Sequence, residues 1–139
     1  MKKVLWALDI PAFREAVRLL EESLKDQVQV VGVGPLYSAD EVLKLIRELE
    51  ADEVVTAIED PCEMNKLLSS GVQPLVMITE DVAECGSREE CLEYESKGYL
   101  LLEKEDGVKV VALKEFLRVV DIMFQLVEPS EVHVHDEEE

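Results

Sequence analysis

The chain is short of positive charge, cysteine, histidine and aromatic residues, and each shortage excludes something. Fourteen Lys and Arg stand against 32 Asp and Glu, a formal net charge of −18 over 139 residues. A chain of that sign is a poor partner for nucleic acid, where binding rests on neutralising phosphates, and for an anionic membrane surface. The three cysteines, Cys62, Cys85 and Cys91, are odd in number and lack CxxC spacing. They make neither a disulfide framework nor a four-cysteine zinc site. Reduced thiols in a cytoplasmic protein are the expectation, with a Cys85–Cys91 bridge as the exception to it. No run approaches the ~20 apolar residues of a membrane-spanning helix. Val4–Leu8, after Lys2 and Lys3, is too short for a secretory leader.

Glycine and proline are also sparse, at six and five, while 47% of the residues are hydrophobic. That apolar share exceeds what a disordered chain carries, and the length suits one domain. Part of the acidity is terminal. Glu128, Glu131 and the run Asp136–Glu139 carry six negative charges with no Lys or Arg among them, and removing those six leaves −12. Residues 1–127 therefore read as a single domain and 128–139 as an acidic tail.

Within the domain, short β-branched runs alternate with amphipathic stretches. Val4–Leu8, Val28–Val33, Glu53–Ile58, Val72–Thr79 and Tyr99–Glu103 read as strands. Between them, Pro11 to Lys25 carries Phe13, Val17, Leu20 and Leu24 at helical spacing, and Ser38-x-x-Glu41 is a capping box that opens a second helix. Asp60-Pro61-x-Glu63 opens a third, with Asp60 as cap and Gly71 as stop, and Ser87 to Ser96 makes a fourth. Asp106-Gly107 is a hairpin turn signal that lets Val108–Ala112 pair back as a short sixth strand, before a final helix from Lys114 to Val127. Alternation of this kind predicts an α/β fold: a three-layer, doubly wound parallel sheet of the flavodoxin-like type. Ligands in such sheets gather at the strand carboxyl ends. That draws attention to Asp9, Glu59, Asp60, Thr79, Glu80, Asp81 and Lys104.

The run Val4-Leu5-Trp6-Ala7-Leu8-Asp9, then Val30-Val31-Gly32, Ala51-Asp52-Glu53-Val54-Val55, Pro74-Leu75-Val76-Met77-Ile78-Thr79 and Gly98-Tyr99-Leu100-Leu101, resembles response-regulator receiver domains over Val4 to Leu102. The resemblance implies five groups: two adjacent acids that hold Mg²⁺, a phosphoacceptor Asp, a phosphate-sensing Thr or Ser, and a Lys. Matched position by position, Asp9 takes the second acid while Leu8 stands at the first. Ala57 falls at the phosphoacceptor, Thr79 at the sensing hydroxyl, and Leu102 at the lysine, with Lys104 two residues on. Ala57 cannot be phosphorylated. A shifted match makes Asp60 the acceptor, against its ordinary role as a helix cap.

The acids at the strand ends suggest a second chemistry. Asp9, Asp60 and Asp81 converging on one cleft would hold Mg²⁺ for phosphoryl transfer or phosphodiester hydrolysis, since hard cations prefer carboxylate oxygens. Gly32-Val33-Gly34 lacks the third glycine of a dinucleotide fingerprint. Cys62 has no histidine near it in sequence to act as base and reads as a buried or inert thiol, and His133 and His135 sit in the tail. The final predicted helix is apolar on most of its surface. Phe116, Val119, Val120, Met123, Phe124 and Val127 leave only a narrow polar stripe of Arg118, Asp121 and Gln125. An outer helix needs a single apolar face, so this one implies a covering partner, most simply a second copy. The sequence thus points to a degenerate receiver-like interaction or regulatory module, non-enzymatic, homodimeric through its last helix and bound to an unnamed protein partner. The alternative is a Mg²⁺-dependent phosphohydrolase or nuclease.

Overall fold

The two outer faces of β1 (Lys2–Ala7) explain the layering. Its alternating side chains separate, with Val4 and Trp6 turned to one side of the sheet and Leu5 to the other. On the first side they meet Ala16 and Leu20 of α1 (Arg14–Leu24), and on the second Val42 of α2 (Ala39–Leu49) and Met64 and Leu67 of α3 (Pro61–Ser69). β2 (Val28–Gly32) and β3 (Glu53–Thr56) flank β1 in parallel, and β4 (Leu75–Cys85) follows β3 in parallel at a single registered pair, Val55 with Leu75. The computed structural model describes residues 1–127, so the tail 128–139, with His133 and His135, lies outside the described residues.

The helix starts follow from local chemistry. Ser38 Oγ accepts the Glu41 N–H at 3.3 Å, and Asp60 Oδ1 accepts the N–H groups of Cys62 and Glu63 at 2.8 and 3.3 Å, with Pro61 in the first turn. Asp60 is a helix cap. Residue Phe13 precedes α1 without any side-chain cap.

Beyond β4 the chain departs from the expected fold. A 3₁₀ turn (Glu89–Cys91) and a short α4 (Leu92–Ser96) lead into β5 (Leu100–Lys104) and a long β6 (Gly107–Arg118). β6 runs antiparallel to β4 from Leu75 opposite Arg118 to Cys85 opposite Val108, and antiparallel to β5 from Leu100 opposite Val111 to Lys104 opposite Gly107. The strand order is β2-β1-β3-β4-β6-β5. The sheet is therefore mixed and strongly curled, a half-barrel rather than a doubly wound parallel sheet, and neither flavodoxin-like nor Rossmann-like describes it. β6 takes the place beside β4 that a parallel fifth strand would hold. Two register shifts in the β4–β6 ladder, at Ile78/Thr79 and Asp81/Ala83, mark bulges, the usual device for bending a strand pair.

The hairpin expected at Asp106-Gly107 is present, but its second strand is twelve residues long rather than five, and no helix covers Lys114–Val127. The physical reason lies in what each conformation buries. A helix there would turn only one side of an all-round apolar cylinder to the sheet. As a strand, Gly107–Arg118 pairs along the whole of β4, places Phe116 edge-on to Trp6 at 6.3 Å between ring centroids, and puts Val108 and Val110 under Cys91. Cys85 and Cys91 are joined in a disulfide, which corrects the expectation of reduced thiols. The bridge closes a short loop, worth about 2 kcal/mol in the chain-entropy account, and ties the 3₁₀ turn to the end of β4. Cys62 is exposed, not buried.

Candidate functional site

The carboxyl ends of β1 and β3, with the first half of β4, frame a cleft of about 670 Å³, floored by Leu8, Ala57, Ile58 and Val76 and edged by Tyr37, Glu59 and Asp60. Its shape is set by the turn after β3. Thr56 is buried and its Oγ1 accepts the Ile58 N–H at 3.0 Å, which folds Ala57 to Asp60 back over the sheet edge before α3 begins. On the α1 side of the sheet, Trp6 Nε1 donates to the Ile10 carbonyl at 2.7 Å and holds the turn that follows β1.

The chemistry of this cleft is sparse. The position matched to a phosphoacceptor is the methyl group of Ala57, which lines the wall. Asp60 spends Oδ1 on the first turn of α3. Asp9 is exposed and lines a separate recess of about 450 Å³ with Gly32, Gly34 and Pro35. Asp81 stands on the solvent side of β4, ion-paired to Lys109 of β6 at 3.0 Å, and Glu80 pairs with Lys114 at 3.3 Å. Asp9, Asp60 and Asp81 are thus not brought together, and among the described residues no group of three His, Cys, Asp or Glu side chains is placed to hold a metal ion. The reason is the hairpin. It carries β4 six residues past Thr79, so Thr79, Glu80 and Asp81 lie within a strand instead of at its end.

Thr79 and Lys104 are separated in the same way. Thr79 is exposed and lies opposite Leu113, while Lys104 ends the outer strand β5 beside the hairpin turn. Three strands stand between β5 and β1, so Lys104 and Asp9 cannot share one phosphate site.

The residues expected to form an interface divide three ways. Phe116 is core, only 8% exposed, and Val119 is half-buried against the cluster of α2 and α3. Val120, Met123, Phe124 and Val127 are exposed, in an irregular segment and not on a helix. Leu117 and Leu126 join them at the surface. Ile122 anchors the segment by packing against the same α2–α3 cluster, and the Val119 N–H donates to the Pro74 carbonyl at 2.9 Å.

Two features escaped the sequence reading. One is the ion pair of Arg118 with Glu53, 2.9 and 3.1 Å from the two guanidinium nitrogens, which joins β6 to β3 across β4. The other is the carboxylate of Glu63, whose Oε1 accepts the Ala39 N–H at 2.9 Å and so ties α3 to the start of α2. That hydrogen bond, and then the nearby Lys66, hold the Glu63 carboxyl below its ordinary value. Both contacts join residues distant in sequence, so no local pattern announces them. No protein family, curated protein or solved structure matches the chain.

Proposed function

We propose that the chain is a non-enzymatic interaction module that self-associates through the segment following β6. One observation carries the reading: of ten large apolar residues exposed among the described residues, six fall between Leu117 and Val127. Met123 and Leu126 are 90% and 86% exposed. Burying a side chain of this size is worth roughly 1.5–3 kcal/mol, and a two-fold interface counts each residue twice. From Val119 to Val127 only Asp121 is charged, so two such segments meet with little like-charge contact. The cleft at the strand ends supports the non-enzymatic half of the reading, because Ala57 offers no group to phosphorylate or to attack a substrate.

The rest of the surface opposes association, since each copy carries −18. Salt screens that repulsion and leaves apolar burial intact. Sedimentation velocity of the full chain at micromolar concentration is expected to show a dimer that strengthens as salt is raised. Met123→Asp with Phe124→Asp is expected to give a monomer with unchanged circular dichroism, because both side chains stand clear of the core. A native chain that sediments as a monomer at every salt concentration refutes the proposal.

A further inference from the structure

The exposed segment that carries Val120, Met123 and Phe124 has a counterpart on its own face of the sheet. Ile58 and Val76 line the cleft at the strand ends, and both belong to the cluster against which Val119 and Ile122 pack. Leu117 is exposed and lies opposite Val76 in the β4–β6 ladder, and residues paired in such a ladder turn to one face. Apolar surface therefore runs from the cleft floor across Val76 and Leu117 to the segment. We infer that the cleft receives Met123 and Phe124 of a second copy, each copy inserting its segment into the cleft of the other. The inference rests on the proposed self-association and names the surface that receives the segment.

Symmetry, area and charge each favour a second copy as the occupant. A closed two-fold interface requires knob and hole on one face of the protomer, whereas on different faces the same contact repeats head to tail. Here both lie on the α2–α3 side of the sheet. A stable interface takes about 800 Å² from each partner. One irregular segment laid on its own copy buries a single side of each residue, and a concave wall buries more. The cleft, at about 670 Å³, falls in the range that encloses a small molecule, ample for a Phe and a Met side chain.

The rim carries Glu59 and Asp60, and among the described residues no Lys or Arg lines the cleft. Such a rim repels the strongly acidic body of another copy. The segment Val119–Val127 brings one carboxylate, Asp121, whose Oδ1 already accepts the Ile122 N–H at 2.9 Å. Below the rim, the floor of Leu8, Ala57, Ile58, Val76 and Ile78 meets an apolar tip with apolar walls.

Cross-linking between copies tests the exchange. A Cys62→Ser background leaves only introduced thiols to react, since Cys85 and Cys91 are held in their disulfide. Tagged full chain carrying Ala57→Cys is mixed with untagged chain carrying Phe124→Cys and treated with a short bismaleimide. A tagged–untagged adduct is expected, and far less of it when the untagged chain instead carries Glu22→Cys, an exposed position on α1. Ala57→Phe fills the cleft and is expected to weaken the dimer about tenfold or more in sedimentation, the worth of one large apolar side chain left unburied, with unchanged circular dichroism. A dimer that forms without the adduct and tolerates Ala57→Phe overturns the inference and leaves self-association standing. A native chain that stays monomeric overturns both. An internal cross-link in a chain carrying both cysteines, at a dilution where no dimer sediments, shows the segment covering its own cleft and likewise overturns the inference.

Discussion

Replacing Arg118 by alanine removes the clamp between the antiparallel and parallel halves of the sheet. Its guanidinium donates two hydrogen bonds to Glu53, at 2.9 and 3.1 Å, and a third to the Gln73 carbonyl at 2.9 Å. The Glu53 side chain is 12% exposed and that of Arg118 35%, so the pair lies between a surface ion pair, worth up to about 1 kcal/mol, and a buried one, worth about 3 or more to break. Loss of the arginine leaves a largely desolvated carboxylate without a partner, and the expected cost is about 2 kcal/mol. For a chain of this length that lowers the melting temperature by about 8 °C. Urea unfolding followed by fluorescence of Trp6, the single tryptophan and only 1% exposed, reads the loss directly. Arg118→Ala is expected to shift the midpoint without changing the slope, and the double variant with Glu53→Ala is expected to show coupling of about 1–2 kcal/mol. A cost below about 0.5 kcal/mol, or no coupling, refutes the clamp.

The carboxyl of Glu63 titrates below its ordinary value when folded, first through the Ala39 N–H and then through Lys66. Its stabilisation is therefore complete above the ordinary glutamate value and is lost as pH falls through that value to the lower folded one. Glu63→Gln is expected to flatten the acid limb of a stability–pH curve, and an unchanged limb would show that the Ala39 contact is not formed in solution. Gly107 turns the β5–β6 hairpin at φ +147°, and a Cβ there would lie 2.6 Å from the Cys85 carbonyl oxygen. Gly107→Ala is expected to cost about 2 kcal/mol or more and to raise amide exchange in β5, whereas native exchange rates would mean that the turn relaxes freely.

Much of the first half of the chain was legible because its signals are local. Ser38 and Asp60 act as caps where their positions implied, and Leu20 is buried on the stripe that helical spacing marked. The unbroken apolar run from Val4 to Leu8 implied a strand, and β1 is indeed covered on both faces. The candidate site was less legible. Asp9 was read as a strand-end acid and does stand just past β1, yet the partners assigned to it were placed on the assumption that β4 stops at Thr79. The strand runs on to Cys85, and the acids at 80 and 81 pair with lysines of β6 instead of with a metal.

The sequence by itself determined the strongly acidic character, the caps, the apolar run of β1 and the crowding of apolar side chains between Phe116 and Val127. Tertiary structure alone decided which of those side chains are buried and which are exposed. Val108 to Arg118 satisfy either a helix or a strand by composition, since an apolar run without clear period commits to neither. The choice was made by β4, thirty or so residues earlier, whose whole length offered backbone partners and a Trp6-lined pocket for Phe116. Caps and periodicity act between neighbours a few residues apart. Strand pairing joins residues across the chain, and only the folded sheet shows which ones meet.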